Sequence, residues 1–186
     1  MSSSTEAQQQ QYKPEDTVLT TDHDANAPNT AITRVVVIAI DQSNYSHFAF
    51  DWALKNFLRK ESDLVVLVNV RSIPMTPAIG ASYMNFSEII STLEDQQRQE
   101  SHTLLHKFAS KLKTEKFSFK AIAMRGDARD EIVRKVFELN ADALILGSRG
   151  LGAIKRILLG SVSDHCIHNC HCTVIIVREH LEKKSA

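Results

Sequence analysis

The sequence predicts an α/β fold in which a parallel sheet of five strands carries helices on both of its faces. Apolar, often β-branched runs recur along the chain, helical patterns separate them, and turn-forming residues lie at the junctions. Strands that are joined through helices run parallel in one sheet, so this alternation predicts a sheet between two helical layers.

The first half of the chain alternates strand, helix and strand. Residues 34–40 hold a β-branched run that is typical of a strand buried on both faces, and residues 64–70 hold a second one. Residues 41–44 supply turn and cap chemistry, and residues 71–85, which include two prolines, are predicted as a loop. The helix after the turn carries one apolar stripe, formed by Tyr45, Phe48, Ala49, Trp52, Ala53 and Phe57.

The second half continues the alternation. Ser87 is placed to cap a long helix, and residues 116–124 alternate in polarity, which predicts a half-buried strand nearer an edge. Asp127 is placed to cap the next helix, with an acidic residue at the capping-box position. Residues 143–146 and 173–177 are predicted as the last two strands.

Bulk composition excludes several classes of protein. A length of 186 residues with 43% hydrophobic and 24% charged residues favours one globular domain. The formal net charge is zero, which gives no basic surface for nucleic acid. No apolar run approaches the ~20 residues of a membrane span. We therefore expect neither nucleic acid nor a membrane as a partner.

The charge is distributed unevenly. The first 30 residues hold five acidic residues against Lys13 alone, whereas the rest of the chain holds 21 basic and 17 acidic residues. We interpret residues 1–30 as a disordered acidic tail, residues 31–180 as a single domain and residues 181–186 as a short tail. The first stretch has neither the apolar core of a signal peptide nor the arginines of a transit peptide, so a cytoplasmic location is expected.

A glycine motif carries the functional signal. Gly147-x2-Gly150-x9-Gly160-Ser161 follows an apolar strand and precedes a short helical segment. Glycines let backbone N–H groups approach phosphates closely, and a helix N-terminus adds unpaired N–H groups and a favourable dipole. The commoner fingerprints do not fit, because Gly152 is followed by Ala153-Ile154 where a P-loop needs Lys-Ser/Thr, and the dinucleotide motif lacks its third glycine. The pattern predicts nucleotide binding.

The motif resembles that of the universal stress protein family, whose ATP-binding members carry Gly-x2-Gly-x9-Gly-Ser/Thr at this place. The likeness runs from about residue 34 to residue 177 and includes the first strand, the Gly126-Asp127 turn and residues 158–164. It implies a flavodoxin-like or Rossmann-like fold with strand order three-two-one-four-five. Family members commonly have Cys-Pro-Val where this chain has Cys172-Thr173-Val174, so the chain departs from the family at Thr173.

Ligands of open α/β sheets lie at the carboxyl ends of the strands, which places Asp41, Val70 and Gly147 around one crevice. The Asp41 carboxylate is predicted to contact a ribose hydroxyl or a phosphate-bound metal, and the alternative is a turn or cap role. The resemblance implies that Val70 meets the adenine edge. It also implies that Ala39, Ile40 and Asp41 lie around adenine and ribose, and that Gly150, Gly160, Ser161, Val162 and Ser163 lie along the phosphates. With these, the residues predicted to hold the nucleotide are Ala39, Ile40, Asp41, Val70, Gly147, Ser148, Arg149, Gly150, Gly160, Ser161, Val162 and Ser163.

Some side chains have two interpretations. Ser161 is placed either to bind phosphate or to cap its helix together with Asp164. Arg149, Lys155 and Arg156 either neutralise phosphate charge or are solvated. The Cys- and His-rich segment 165–172 resembles a metal site, but helical spacing favours cysteines packed on the sheet, so no metal site formed by the protein alone is predicted.

The function predicted is that of a regulatory or stress-response protein that binds ATP or AMP, with Mg²⁺ reaching Asp41 only through the nucleotide. No catalytic constellation is present in the sequence, so at most slow ATP hydrolysis is expected. The alternatives are a weak ATPase, a dimerisation or chaperone-like module without nucleotide, and a flavin-binding relative. The resemblance also implies a homodimer through the edge strand at residues 173–177.

Overall fold

The computed structural model describes residues 15–21, 32–73, 86–149 and 159–178. Within these ranges the chain alternates strands and helices after an initial pair of strands. The elements in chain order are β1 (Glu15–Thr20), β2 (Arg34–Ala39), α1 (Asn44–Asn56), β3 (Asp63–Arg71), α2 (Phe86–Thr114), β4 (Ser118–Arg125), α3 (Ala128–Glu138), β5 (Ala143–Gly147), α4 (Ser161–Asn169) and β6 (Thr173–Val177).

The described strands form one sheet with the order β1-β4-β3-β2-β5-β6. The strands from β2 to β6 pair in parallel, and they correspond to the five predicted strands in the predicted order. The α/β fold is therefore confirmed. The prediction of a five-stranded, wholly parallel sheet is wrong in one respect, because β1 adds a sixth strand antiparallel to β4.

The strand β1 corrects two expectations. It lies within residues 1–30, which were predicted to be a disordered tail, and the remainder of that stretch lies outside the described residues. It also covers β4, so β4 is an inner strand and not an edge strand. The physical reason is that the ion pairs of Glu15 and Asp16, which reach distant helices, stabilise a strand that has little apolar periodicity.

Side chains alternate between two hydrophobic clusters on the two faces of the sheet. One face packs against α1 and α2 through residues such as Ile38, Leu67, Phe50 and Phe108. The other face packs against α3 and α4, with members that include Val37, Val68, Val136, Leu144 and Cys166. This buried frame positions the loops at the carboxyl ends of the strands.

The helices differ from the predictions in details. Phe50 is fully buried although it lies outside the stripe predicted for α1, because its ring packs edge-on against Phe108. The helix α2 begins at Phe86, so Ser87 lies inside it and is not its N-cap. Of the helices that the structure describes, none has the length and hydropathy needed to cross a bilayer.

Candidate functional site

A cleft with a volume of about 420 Å³ opens at the carboxyl end of the sheet. Its lining comes from the end of β3, the turn between β4 and α3, and the first turn of α4. The described lining residues are Val70, Ser72, Gly126, Asp127, Ala128, Arg129, Ser161 and Val162. The cleft therefore brings together Val70, Ser161 and Val162 from the predicted nucleotide site. It lies at the strand ends, where ligands of such sheets bind, but of Asp41, Val70 and Gly147, which were predicted around one crevice, only Val70 is among its described lining residues.

The first turn of α4 leaves its backbone amides open. Gly160 is the N-cap residue, with φ −76° and ψ 155°, and it has no side chain to bond them. Among the described residues, none accepts a hydrogen bond from the amides of Ser161, Val162 or Ser163, whereas Asp164 donates to the Gly160 carbonyl. Unpaired amides and the positive end of the helix dipole both favour an anion at this point.

The capping role considered for Ser161 is wrong, because Gly160 occupies the cap position and Ser161 is the first residue of the helix. The Ser161 side chain is exposed and borders the cleft. Its hydroxyl is thus available to a ligand, as the other interpretation requires. Asp164 is the acidic residue of the first turn, and its amide is already bonded to the N-cap carbonyl at 2.9 Å.

The two ends of the glycine loop are held together at its base. Ser148 donates its amide to the Val177 carbonyl at 2.9 Å and accepts from the Gly160 amide at 2.8 Å. The buried hydroxyl of Ser163 donates to the Gly147 carbonyl at 3.0 Å. The loop must therefore begin beside the start of α4. Residues 150–158, with Gly150, Lys155 and Arg156, lie outside the described residues.

Gly147 permits the close approach of β5 to α1. A Cβ atom at this position would lie 2.7 Å from the backbone carbon and oxygen of Tyr45. Contacts this short with backbone cannot be relieved by a side-chain rotation. The glycine is required by packing beneath the loop, a reason that the motif alone does not reveal.

Asp41 makes the turn contacts that were the alternative to a ligand role. Its Oδ1 accepts from the amide of Ser43 at 2.9 Å and from the Ser43 hydroxyl at 2.5 Å. Its amide donates to the Ser46 hydroxyl at 2.9 Å. No described residue donates to Oδ2, so one carboxylate oxygen orders the turn and the other can accept from a ligand. The ligand role of Asp41 stays a prediction.

The two predicted residues before Asp41, Ile40 and Ala39, are held by packing and backbone contacts. Ile40 is buried, and its carbonyl accepts from Asn69 Nδ2 at 2.7 Å. Ser101 in turn donates to Asn69 Oδ1 at 2.6 Å. Ala39 is partly buried in the cluster beneath α3 and α4. These contacts fix the backbone at the end of β2, and within the described structure neither Ala39 nor Ile40 lines the cleft.

The side chain of Arg149 extends over Tyr45, with its guanidinium carbon 5.7 Å from the ring centroid. Its Nη1 donates to the Tyr45 hydroxyl at 3.3 Å. This cation–π arrangement places the charge beside the start of the glycine loop without directing it into the cleft. Arg149 is not among the described residues that line the cleft.

The wall opposite α4 was not predicted as part of the site. The amide of Arg129 donates to Asp127 Oδ1 at 2.9 Å, which confirms Asp127 as the cap of α3. The guanidinium of Arg129 bonds both Asp127 oxygens, at 3.0 and 2.7 Å. These side-chain and backbone hydrogen bonds lower the pKa of Asp127 from 3.8 to about 2. The Gly126-Asp127 turn was visible in the sequence, but only as a turn and a cap.

A sequence model of the universal stress protein family matches residues 33–178. The chain belongs to the universal stress protein family. The matched range begins just before β2 and ends just after β6, so β1 lies outside it.

Individual relatives agree with this membership. Universal stress protein PHOS32 of Arabidopsis thaliana is 34% identical over 81% of this chain and 67% of its own length. PHOS34 of the same plant is 32% identical, and the chain spans 64% of it, so the match covers about two thirds of each plant relative. Universal stress protein MJ0531 of Methanocaldococcus jannaschii is 30% identical over 77% of this chain and 81% of its own length.

Solved structures share the fold. Protein MJ0577 superposes with a TM-score of 0.68 at 22% identity, over 81% of this chain and 99% of its own. A universal stress protein family protein from Arabidopsis thaliana superposes with a TM-score of 0.56 at 21% identity, over 82% and 96% of the two chains. The α/β architecture at the site is thus that of known universal stress protein structures.

The cysteines of this universal stress protein domain pack on the sheet. Cys166 is fully buried, and Cys170 and Cys172 contact the same cluster beneath α3 and α4. Burial raises the pKa of the Cys166 thiol to about 12, which makes it a poor metal ligand. Within the described ranges no three His, Cys, Asp or Glu residues are grouped to hold a metal ion.

Proposed function

We propose that this chain binds an adenine nucleotide, ATP or AMP, in the cleft at the carboxyl end of its sheet. The observation that carries the proposal is the uncapped first turn of α4, whose amides at Ser161 and Val162 border the cleft. Phosphate oxygens are strong acceptors that match such a helix N-terminus in charge and geometry.

The remaining groups contact different parts of the proposed nucleotide. Ser161 contributes a hydroxyl beside the amides, and the backbone at Val70 meets the adenine edge at the opposite part of the cleft. The Asp41 oxygen that does not order the turn accepts from the ribose or contacts phosphate-bound Mg²⁺. Gly147 and Ser148 hold the base of the loop, and Ser163 ties that base to α4.

Other members of the fold support the choice of nucleotide. The Arabidopsis thaliana structure contains bound AMP, and another universal stress protein structure is a complex with cAMP. Since these proteins are about one fifth identical to this chain, they support testing adenine nucleotides and do not select among them. A regulatory role in the cytoplasm, with no more than slow hydrolysis of ATP, is part of the same proposal.

Calorimetric titration tests the proposal directly. We expect saturable binding of ATP or AMP to the purified chain, with one nucleotide per chain, and no comparable binding of GTP. Titrations with and without Mg²⁺ on wild type and Asp41→Ala separate the two ligand roles of Asp41, because a magnesium contact makes the loss depend on the metal. Absence of binding by every adenine nucleotide would overturn the proposal.

We also propose a homodimer through β6. This strand is short, apolar and at one edge of the described sheet, and an open edge of this kind pairs readily with another strand. Antiparallel pairing with a second copy about a two-fold axis would cover it. Light scattering at micromolar concentration should give a dimer for wild type and a monomer for Ile176→Lys. A wild-type monomer would contradict the pairing.

A further inference from the structure

The strand β1 is attached to the domain in an unusual way. None of its residues is buried, whereas every other described strand has at least one buried residue, and of its side chains Val18 and Leu19 pack on the hydrophobic cluster beneath α1 and α2. It also precedes residues 33–178, the range that the family model matches. The surface on which β1 lies therefore belongs to the family domain, and β1 is an addition to it.

One side of this surface holds a buried cation. The side chain of Lys135 in α3 is 1% exposed, and its ammonium lies 2.5 Å from Glu15 Oε2. Arg134 contacts the same oxygen at 3.3 Å, and Glu138 contacts Lys135 from the helix at 2.9 Å. A buried ammonium requires anionic or hydrogen-bonding partners, and Glu15 supplies one that α3 does not. Burial acts to raise the pKa of Glu15, but the hydrogen bonds from Lys135 and Arg134 prevail and lower it.

The other side of the surface holds a second cationic site. Arg98 of α2 places its Nε 2.9 Å from Asp16 Oδ2, and His102 lies 3.7 Å from the same oxygen. Successive side chains of a strand point to opposite faces of the sheet. Adjacent carboxylates at Glu15 and Asp16 therefore reach the cations of α3 and α2 at the same time.

The edge of β4 lies between the two cationic sites. It pairs with β1 from Glu15↔Met124 to Thr20↔Lys120, with a register shift between Thr17 and Leu19. The pairing continues beyond the strand, because the amide of Thr21 donates to the Phe119 carbonyl at 3.0 Å. These backbone groups would bind any extended chain of the same register, as sheet edges do in β-strand addition.

We propose that the edge of β4, flanked by Lys135 and Arg98, is a binding groove for an extended peptide of a partner protein. The peptide that fits carries two adjacent carboxylates, followed one residue later by two apolar residues. Residues Glu15–Thr20 are the resident occupant of this groove, and a partner segment of the same chemistry replaces them. The apparent affinity for a partner peptide is the intrinsic affinity of the free groove multiplied by the fraction of chains in which the resident strand has left it.

The charge distribution supports this assignment. The first 30 residues hold five acidic residues against Lys13, while the remainder of the chain has an excess of basic residues. The groove thus already selects an acidic segment within its own chain.

Fluorescence anisotropy with the full-length chain tests the proposal. The probe is a labelled synthetic peptide with the sequence of residues 13–22, and the receptor is the Glu15→Lys/Asp16→Lys variant, whose resident strand is repelled from an intact groove. We expect this variant to bind the peptide at least tenfold more tightly than wild type. Asp16→Asn, which removes only the charge that faces Arg98 and His102, should give an intermediate affinity and provides a receptor with a milder change if the double variant does not fold.

Matched variants assign the binding to the groove. Adding Arg98→Glu to the receptor should lower its affinity for the peptide at least tenfold. Lys111→Glu makes the same change of charge on the same helix, at a residue that pairs with Asp51, and should leave the affinity unchanged. A peptide with lysines in place of both acidic residues should not bind. Equal binding of the acidic and lysine peptides, or no binding to a folded receptor of either kind, would overturn the proposal.

Discussion

The helices α3 and α4 both begin at the cleft, but their first turns are completed in different ways. Asp127 caps α3 with its side chain and is itself held by the Arg129 guanidinium. Gly160 caps α4 with backbone alone, and no described residue accepts from the amides that follow. Asx residues are the usual helix caps because they satisfy such amides.

The difference indicates a division of roles between the two walls. At α3 the protein supplies its own anion, so an additional phosphate would meet a negative charge. At α4 the first turn contains Asp164, but no described residue accepts from the amides of Ser161, Val162 and Ser163, so these amides are left for a ligand. We therefore expect substitutions at Gly160 to change nucleotide affinity, and substitutions at Asp127 to change stability.

The largest expected effect comes from giving α4 the cap of α3. Gly160→Asp places a carboxylate at an N-cap with extended φ and ψ, where it can bond the first-turn amides and repel phosphate. We expect ATP affinity to fall at least a hundredfold, about 2.7 kcal/mol or more. The free energy of unfolding should rise by about 0.5 kcal/mol, because the cap and the helix dipole both gain a partner.

The matched control is Gly160→Asn, which supplies a cap of the same shape without the charge. Its loss of ATP affinity should be smaller than that of Gly160→Asp, and calorimetry on both variants separates competition for the amides from repulsion. Unchanged ATP affinity in the aspartate variant would remove the phosphates from the first turn of α4.

The second effect concerns the turn that leads into α3. Gly126 has φ +152°, and a Cβ atom there would lie 2.7 Å from Glu131 Cγ. Gly126→Ala should lower the free energy of unfolding by about 1–3 kcal/mol, since both the backbone conformation and the contact become unfavourable. Denaturant unfolding measures the loss. The double variant Gly126→Ala/Glu131→Ala removes the contact but keeps the conformation, so incomplete recovery is expected and full recovery would contradict a backbone contribution.

Sequence patterns predicted the buried strands because continuous β-branched runs such as residues 34–40 report burial on both faces. The strand β1 was missed, since its only apolar residues are Val18 and Leu19 and its partners are 80 or more residues away on α2 and α3. No local pattern reveals such ion pairs. A bulge beside Val18 also breaks the alternation that would have signalled a strand.

The candidate site was predicted in part, because Val70 and the α4 residues were predicted but the α3 wall was not. The glycine motif identified the α4 wall because a motif is contiguous in sequence, and Ser161 and Val162 do line the cleft. Ser72 and Arg129 carry no motif and enter the site only through the positions of β3 and α3 in the sheet. The sequence also did not reveal that the first turn of α4 is uncapped. Ser161 is of a residue type that often caps helices, and only the structure shows that the helix starts after Gly160.

The third effect concerns the N-cap of α3. Asp127→Ala removes the cap of α3 and should lower the free energy of unfolding by about 1 kcal/mol. ATP affinity should change by less than about threefold, because the proposed phosphate site lies at α4. Asp127→Ser keeps a capping oxygen and should retain most of the stability. Denaturant midpoints and ATP titrations on both variants check the prediction, and a large loss of affinity in Asp127→Ala would show that α3 also holds the ligand.

The smallest expected effect is the acid dependence of the α3 cap. Hydrogen bonds from Arg129 hold the pKa of Asp127 at about 2 in the folded chain, below its ordinary 3.8. A depressed carboxyl pKa stabilises the fold above the ordinary value, and this stabilisation is lost as the pH falls through the folded value. The difference in unfolding free energy between wild type and Asp127→Asn should thus be constant from neutral pH to about pH 5 and shrink between about pH 4 and pH 2. Because the Asp127 side chain is 43% exposed, the change should be no more than about 0.5 kcal/mol and should decrease further with added salt. Urea unfolding of both proteins across this range measures the difference. A constant difference down to pH 2 would mean that the Asp127 charge contributes nothing beyond the hydrogen bond that asparagine also makes.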